Sequence, residues 1–389
     1  MKIGIILGTR PEIIKLSSIV RKLERLKKLK VDGLNNAHND INNTNGSIGN
    51  INYFIIHTNQ HYSENMDKIF FKELNLPSPN YNLNVGSGTH GEQTAKMLEG
   101  IEKILIKEKP DVVIVQGDTN TVLAGALASS KLKIKVAHVE AGLRSYDRNM
   151  PEEINRVLTD HVCDYLFTPT EIAKENLLKE GIEQEKIFVV GNTIVDATLQ
   201  NIKIAEERDD IKNFIKTLSN GEDYFLLTIH RAENTDNKER LKNIIKAIGE
   251  ITKYHNNKIV FPIHPRTENR LKKYNLFDEI KNNKNIKIIE PVGYLEFLML
   301  EKNAKLILTD SGGVQEEACI LKVPCITLRD NTERPETINV GSNILVGADI
   351  EKIINGIELM LKKERNWKNP FGDGNSGETI VEILLNQNL

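Results

Sequence analysis

Cysteine is scarce in this chain of 389 residues: the three copies, Cys163, Cys319 and Cys325, form no Cys-x-x-Cys pair and stand beside no cluster of histidines. This argues against a disulfide framework and a structural zinc site, and the thiols read as small buried hydrophobes. Long hydrophobic runs are also lacking, none approaching the ~20 residues that cross a bilayer, so no membrane partner is expected. The opening run of residues 2 to 7 is stopped by Gly8-Thr9-Arg10-Pro11. It is too short for a secretory signal, and a cytoplasmic location is expected. Charge of one sign is missing as well: 52 Lys and Arg face 54 Asp and Glu, a net charge of -2 that gives no general attraction to nucleic acid or anionic lipid. Any bound phosphate must be held by local features. Neither a Gly-x-Gly-x-x-Gly fingerprint nor a Walker P-loop occurs, which argues against NAD binding and ATP hydrolysis.

What is present is an alternation of short apolar strands with longer amphipathic stretches, the pattern of an α/β protein with parallel sheets. The length exceeds what one hydrophobic core supports, so two domains are expected. Strands are predicted at residues 2 to 7, 53 to 57, 111 to 116, 134 to 139, 165 to 168 and 187 to 190. The pattern restarts at 224 to 229, 258 to 263, 286 to 290, 305 to 309 and 324 to 328. The turn Gly191-Asn192-Thr193 marks the boundary, giving domains 1–191 and 192–375. Residues 33–52, rich in Asn and Gly and without periodicity, read as a surface insertion. The basic run 21 to 30 interleaves Leu23, Leu26 and Leu29 at helical spacing and reads as a solvated helix face. Two doubly wound domains facing each other would bring the carboxyl ends of their strands to opposite walls of one cleft.

Three turns suit an anionic ligand. Gly8-Thr9-Arg10-Pro11-Glu12 follows the first strand, with Lys15 one helical turn later. It can offer cations and free N–H groups, or serve as a connection in which Arg10 pairs with Glu12. Asp310-Ser311-Gly312-Gly313 follows a strand and opens a helix, so its backbone can approach a phosphate at the positive helix end. Glu317 lies one and a half turns on, where a carboxylate can take both hydroxyls of a ribose; the alternative is Ser311 as N-cap with a solvated acid. His230-Arg231 after a strand, and Arg334 in Thr332-Glu333-Arg334-Pro335-Glu336, are candidate cations for a diphosphate. Three acids, Asp118, Glu140 and Glu152, close or follow strands of the first half. One such acid is commonly a cap or an ion-pair partner, with Arg144 and Arg156 at hand, whereas three together suit acid/base work.

The segments GTRPEIIK, TNQHYSENM, QGDTNTVLAGALAS, HVEAGLRS, MPEEINR, HRAEN, TDSGGVQEEA and RDNTERPE occur here in this order. With them the chain resembles the non-hydrolysing UDP-N-acetylglucosamine 2-epimerases over essentially its whole length. The resemblance implies two Rossmann-like domains in the GT-B architecture, with residues 376–389 packing back on the first. It implies Asp118, Glu140 and Glu152 as the acid/base carboxylates and His230 at the diphosphate. It assigns UDP contacts to Arg10, Lys15, His230, Phe297, Ser311, Gly312, Gly313, Glu317 and Arg334. It further implies a homodimer and a second UDP-N-acetylglucosamine acting as allosteric activator beside Gln60, His61 and His264.

Chemistry explains why such residues are needed. Carbon 2 of the sugar has no neighbouring carbonyl to acidify its hydrogen. If UDP leaves carbon 1 as a base takes that proton, a 2-acetamidoglucal forms, and proton return on the other face inverts the centre. Two faces require two acid/base groups, and no metal or nicotinamide is called for. A hydrolysing relative, a GT-B glycosyltransferase and an inactive sugar-nucleotide sensor are the competing readings; the three acids count against the last two.

Overall fold

The computed structural model of the chain describes residues 1–31, 51–59, 70–254 and 258–387. Most of the expected insertion lies outside the described residues, while Asn52 already opens a strand. The chain divides into two compact units, one of residues 1–197 with 371–389 and one of residues 198–370. The division falls within the helix Thr193–Glu207.

The first unit is built on β1 (Lys2–Leu7), β2 (Asn52–His57), β3 (Tyr81–Asn82), β4 (Val112–Gln116), β5 (Lys135–Val139), β6 (Tyr165–Thr168) and β7 (Ile187–Val189). They lie in the order β3-β2-β1-β4-β5-β6-β7, every neighbouring pair parallel. In β1 the consecutive residues Ile5 and Ile6 point to opposite faces and both are fully buried, so the sheet is covered on both sides. A strand in that position has no polar face to show, hence the unbroken apolar run. Ile6, Ile56, Val113 and Val115 join Met97, Ile101 and Leu105 of the helix His90–Glu108 in one core. Truncating such a side chain to Ala costs about 2–5 kcal/mol.

The second unit repeats the scheme with β8 (Tyr224–Thr228), β9 (Lys258–Pro262), β10 (Ile286–Ile289), β11 (Leu306–Thr309), β12 (Cys325–Thr327) and β13 (Asn343–Leu345). Their order is β10-β9-β8-β11-β12-β13, again parallel. Both units are thus Rossmann-like, the architecture expected from the sequence. The three cysteines are buried and unbridged. Among the described residues no helix is long and apolar enough to cross a membrane.

In each sheet the chain winds outward from its first strand and then returns to that strand's other side. The reversal falls between β1 and β4 and between β8 and β11, where the crossovers diverge and leave a crevice at the strand carboxyl ends. The turns there are Gly8-Thr9 and Gly117-Asp118 in the first unit, and His230-Arg231 and Asp310 to Gly313 in the second. Gly8 is required by close approach: a Cβ on it would lie 2.3 Å from the hydroxyls of both Thr58 and Thr121.

The C-terminal helix Ser376–Asn386 belongs to the first unit and packs on the helix Arg10–Val31. Asp196 accepts the amides of Ser376 at 3.2 Å and Gly377 at 2.8 Å, supplying partners that a helix N-terminus otherwise lacks. Lys22 adds ion pairs to Glu378 at 2.8 Å and Glu382 at 3.3 Å.

Candidate active site

At the first switch point the sequence Thr9-Arg10-Pro11-Glu12 forms a capping turn. Glu12 folds back so that its Oε2 accepts the amides of Gly8 at 2.5 Å and Thr9 at 2.9 Å, while Oε1 accepts the Thr119 hydroxyl at 2.5 Å. Burial pushes its carboxyl up to about 7, against the lowering effect of those hydrogen bonds. The expectation of free amides here therefore needs correction: those of Gly8 and Thr9 are taken by Glu12. Arg10 does not pair with Glu12; it is exposed, its guanidinium 5.8 Å from the centre of the Phe70 ring. Threonine followed three residues later by glutamate is a capping-box spacing, a signal that could have identified Glu12 in advance.

Lys15, one turn along, reaches Glu140. Its Nζ lies 2.6 and 2.7 Å from the two carboxylate oxygens, and Glu140 also accepts from Gln116 and, at 3.3 Å, from Asn192. Glu140 has φ 72°, a left-handed conformation that costs a non-glycine residue free energy and is found where function over-determines the backbone.

Asp118 follows β4. Its Oδ2 accepts from Arg156 Nε at 3.0 Å and Nη2 at 2.5 Å, and its main-chain carbonyl accepts from Asn155 at 2.9 Å. Arg156 also binds Glu153 at 2.8 Å. Glu153 in turn accepts the amides of Ser145 and Tyr146 at 3.0 and 2.9 Å, fixing the loop ahead of the helix Pro151–Val162. Glu152, beside it on that helix's first turn, is exposed and has no polar partner among the described residues.

Behind these acids runs a buried relay that sequence reasoning missed. His138 bonds through Nε2 to the Gly117 carbonyl at 2.8 Å and through Nδ1 to Asp160 at 2.6 Å. Asp160 also takes the Gly142 amide at 3.1 Å and Arg144 at 2.7 Å, and Arg144 grips Glu180. Burial pushes the Asp160 carboxyl up, but His138 and Arg144 outweigh it and hold it below the usual range. The relay pins the Gly117-Asp118 turn. Arg144, a candidate partner for the three acids, is spent on Asp160 and Glu180 instead.

At the second switch point Asp310 is fully buried and accepts the amides of His230 and Arg231 at 3.0 Å each and the Asn234 side chain at 3.1 Å. Its Oδ1 is 3.0 Å from His230 Nδ1. That bond fixes the imidazole and leaves Nε2 on the ring's other edge, with the side chain 39% exposed. Burial raises the Asp310 carboxyl, yet His230 and the amides bring it below its usual range. His264 stands beside this dyad, ring centres 6.2 Å apart, and caps the helix Pro265–Lys273 by accepting the Arg266 amide at 3.1 Å. Gln60 and His61, its expected companions, lie outside the described residues.

Ser311 is the N-cap of the helix Gly312–Ile320, but its side chain makes no capping bond. A Cβ added to Gly313 would meet nothing within 4 Å, and one on Gly312 only Glu333 Oε2 at 3.8 Å. The protein itself therefore gives no steric reason for glycine at either position; room is left at a helix end whose amides favour an anion. Glu317 is buried, with the Tyr294 hydroxyl on its Oε1 at 3.1 Å. Arg334 pairs with the buried Glu316 at 2.6 Å, and Phe297 is half-buried on the helix Tyr294–Asn303. Neither Glu316 nor Glu317 is solvated. Among the described residues no three His, Cys, Asp or Glu side chains gather as metal ligands would.

Comparison with known proteins gives these geometries a context. A family model described as UDP-N-acetylglucosamine 2-epimerase matches residues 45–385. The UDP-N-acetylglucosamine 2-epimerase of Methanocaldococcus jannaschii is 71% identical over 384 residues, 99% of each chain. That of Methanococcus maripaludis is 61% identical over 386 residues, again 99% of each. The crystal structure of Methanocaldococcus jannaschii UDP-GlcNAc 2-epimerase in complex with UDP-GlcNAc and UDP superposes with a TM-score of 0.82 at 71% identity, covering 99% of both chains. Matched by that family model over residues 45–385 and 71% identical to such an enzyme over nearly its whole length, the chain belongs to the UDP-N-acetylglucosamine 2-epimerase family.

Proposed function

We propose that the protein interconverts UDP-N-acetylglucosamine and UDP-N-acetylmannosamine by inverting carbon 2 through elimination and re-addition of UDP. The observation that carries this reading is the division of labour between the switch points: the first gathers acids, the second an anion-binding helix end with a ribose-type carboxylate. In the second unit the Ser311-Gly312-Gly313 turn, His230 and Arg334 hold the diphosphate and Glu317 takes the ribose hydroxyls, with Phe297 beside the base. The resemblance also assigns UDP contacts to Arg10 and Lys15.

Glu140, coordinated by Lys15, Gln116 and Asn192, is suited to steady positive charge that develops on the ring. Asp118 keeps Oδ1 without a bond to the described residues, and Glu152 is exposed at a helix start. These two are the proton-transfer groups, one for each face of carbon 2. Holding the departed UDP by preorganised donors lets it re-add instead of being lost. The same reading includes a homodimer, a cytoplasmic location, activation by a second UDP-N-acetylglucosamine near His264, and use of the product in N-acetylmannosamine-containing polysaccharide or glycan synthesis; the resemblance supports these.

The test is proton NMR of the protein with UDP-N-acetylglucosamine in deuterated water. UDP-N-acetylmannosamine carrying deuterium at carbon 2 is the expected product. Free N-acetylmannosamine would replace this reading with hydrolysis, and an unchanged nucleotide would overturn it.

A further inference from the structure

The helix Tyr294–Asn303 carries a carboxyl that the chemistry above does not use. Glu301 is completely buried, and among the described residues no N–H or O–H donates to either of its oxygens. The helix Gly312–Ile320 packs on this helix, and the carboxyl that bears on Glu301 from it is that of Glu317. Ionised carboxylates only accept, so two of them in contact require a shared proton. In a site closed to water both cannot carry charge.

Among the described residues no cation bears on Glu301. Tyr294 sits on its own helix, Tyr224 on β8 and Cys325 on β12, all neutral in the physiological range. Lys212 and Lys216 of the neighbouring helix Asp209–Ser219 are exposed, and Lys302 is paired with Glu206. Burial first and Glu317 second therefore keep the Glu301 carboxyl protonated well above the ordinary carboxylate range. Tyr294 donates to Glu317 at 3.1 Å, whereas Glu301 receives no donor among the described residues, so the shared proton is placed on Glu301.

We infer that Glu301 is a positioning residue for nucleotide recognition: it donates its proton to Glu317 and fixes, from the core side, the carboxylate that accepts from the ribose. The inference rests on the proposal that Glu317 faces the ribose. Tyr294 and Glu301 together fix the orientation of the carboxylate, and a site built to bind a hydroxyl rejects the analogue that lacks it. Preference for UDP over its 2′-deoxy counterpart thus depends on Glu301.

Calorimetric titration of UDP and 2′-deoxy-UDP into the wild-type chain, Glu301→Gln and Glu301→Leu, from mildly acidic to alkaline pH, tests this. Glu301→Gln keeps a donor and is expected to retain the wild-type affinity and UDP preference, while losing the alkaline weakening that the wild type shows as the shared proton departs. Glu301→Leu is expected to bind UDP about tenfold or more weakly and to lose most of the preference. Wild-type affinity and preference in Glu301→Leu would overturn the inference, as would alkaline weakening of equal size in the wild type and Glu301→Gln; the latter comparison decides the matter if the leucine variant does not fold. Failure of the wild type to bind UDP would instead sink the functional proposal and the inference with it.

Discussion

Lys15 and Glu140, 125 positions apart in sequence, meet in a nearly buried ion pair with both carboxylate oxygens within 2.7 Å of the ammonium. Side-chain exposure is 14% for the lysine and 4% for the glutamate, so neither charge has solvent to fall back on. Removing one partner of such a pair costs about 3–5 kcal/mol, because the other is left buried and uncompensated. Lys15→Met should lower stability in denaturant melts by that order and reduce turnover. Lys15→Met with Glu140→Gln should regain much of the stability but none of the turnover; recovery of activity in the double variant would remove Glu140 from the chemistry.

The three acids differ in their surroundings, and the variants should differ accordingly. Asp118→Asn, Glu140→Gln and Glu152→Gln are each expected to bind UDP as the wild type does while turnover falls by about 10²-fold or more, the usual worth of a positioned acid/base or charge-stabilising group. Glu152→Gln, at an exposed position, should leave the melting temperature unchanged. Steady-state rates from the NMR assay beside calorimetric UDP binding check this, and wild-type rates in all three would refute the assignment.

Glu12 should give stability a pH dependence. Its folded-state pKa of about 7 lies above the usual 4.5, so the folded chain binds this proton more tightly than the unfolded one. The resulting stabilisation is complete below the unfolded value and is lost as pH rises through about 7, an effect of about 3 kcal/mol at most. Glu12→Gln cannot titrate, and urea melts across this range should show a correspondingly flatter profile than the wild type.

Gly313 separates folding from binding. A methyl group there meets nothing in the protein, and alanine is the better helix residue by about 0.5–1 kcal/mol. Gly313→Ala should therefore melt no lower than the wild type yet bind UDP about tenfold or more weakly, because the backbone can no longer approach a phosphate. Unchanged UDP affinity by calorimetry would show that the space serves something else.

Most strands could be read from the sequence because a doubly covered parallel strand is an unbroken apolar run: Lys2–Leu7 and Tyr165–Thr168 were placed to the residue. Two of the four edge strands, Tyr81–Asn82 and Asn343–Leu345, could not. Two or three residues carry no period, and only the neighbouring ladder defines them. The turns after β1, β4, β8 and β11 were visible for a related reason: glycine or charged residues soon after an apolar run mark where the backbone turns and where ligands gather.

The sequence alone determined the alternation of strands and helices, the two Rossmann-like halves, and the ordered motifs from Gly8 to Glu336 that carry the family resemblance. Those are local properties, written in spacing and residue type. Only the tertiary structure decided how the charges are shared: Lys15 with Glu140, Arg156 with Asp118, Arg144 with Asp160, His230 with Asp310, and one proton between Glu301 and Glu317. Such pairings join residues from 16 to 125 positions apart, and their strength depends on the water excluded when the sheets and helices close over them. Neither partner nor dielectric is written in the neighbouring residues, so only the packed chain settles which carboxylate is spent on structure and which is left to react.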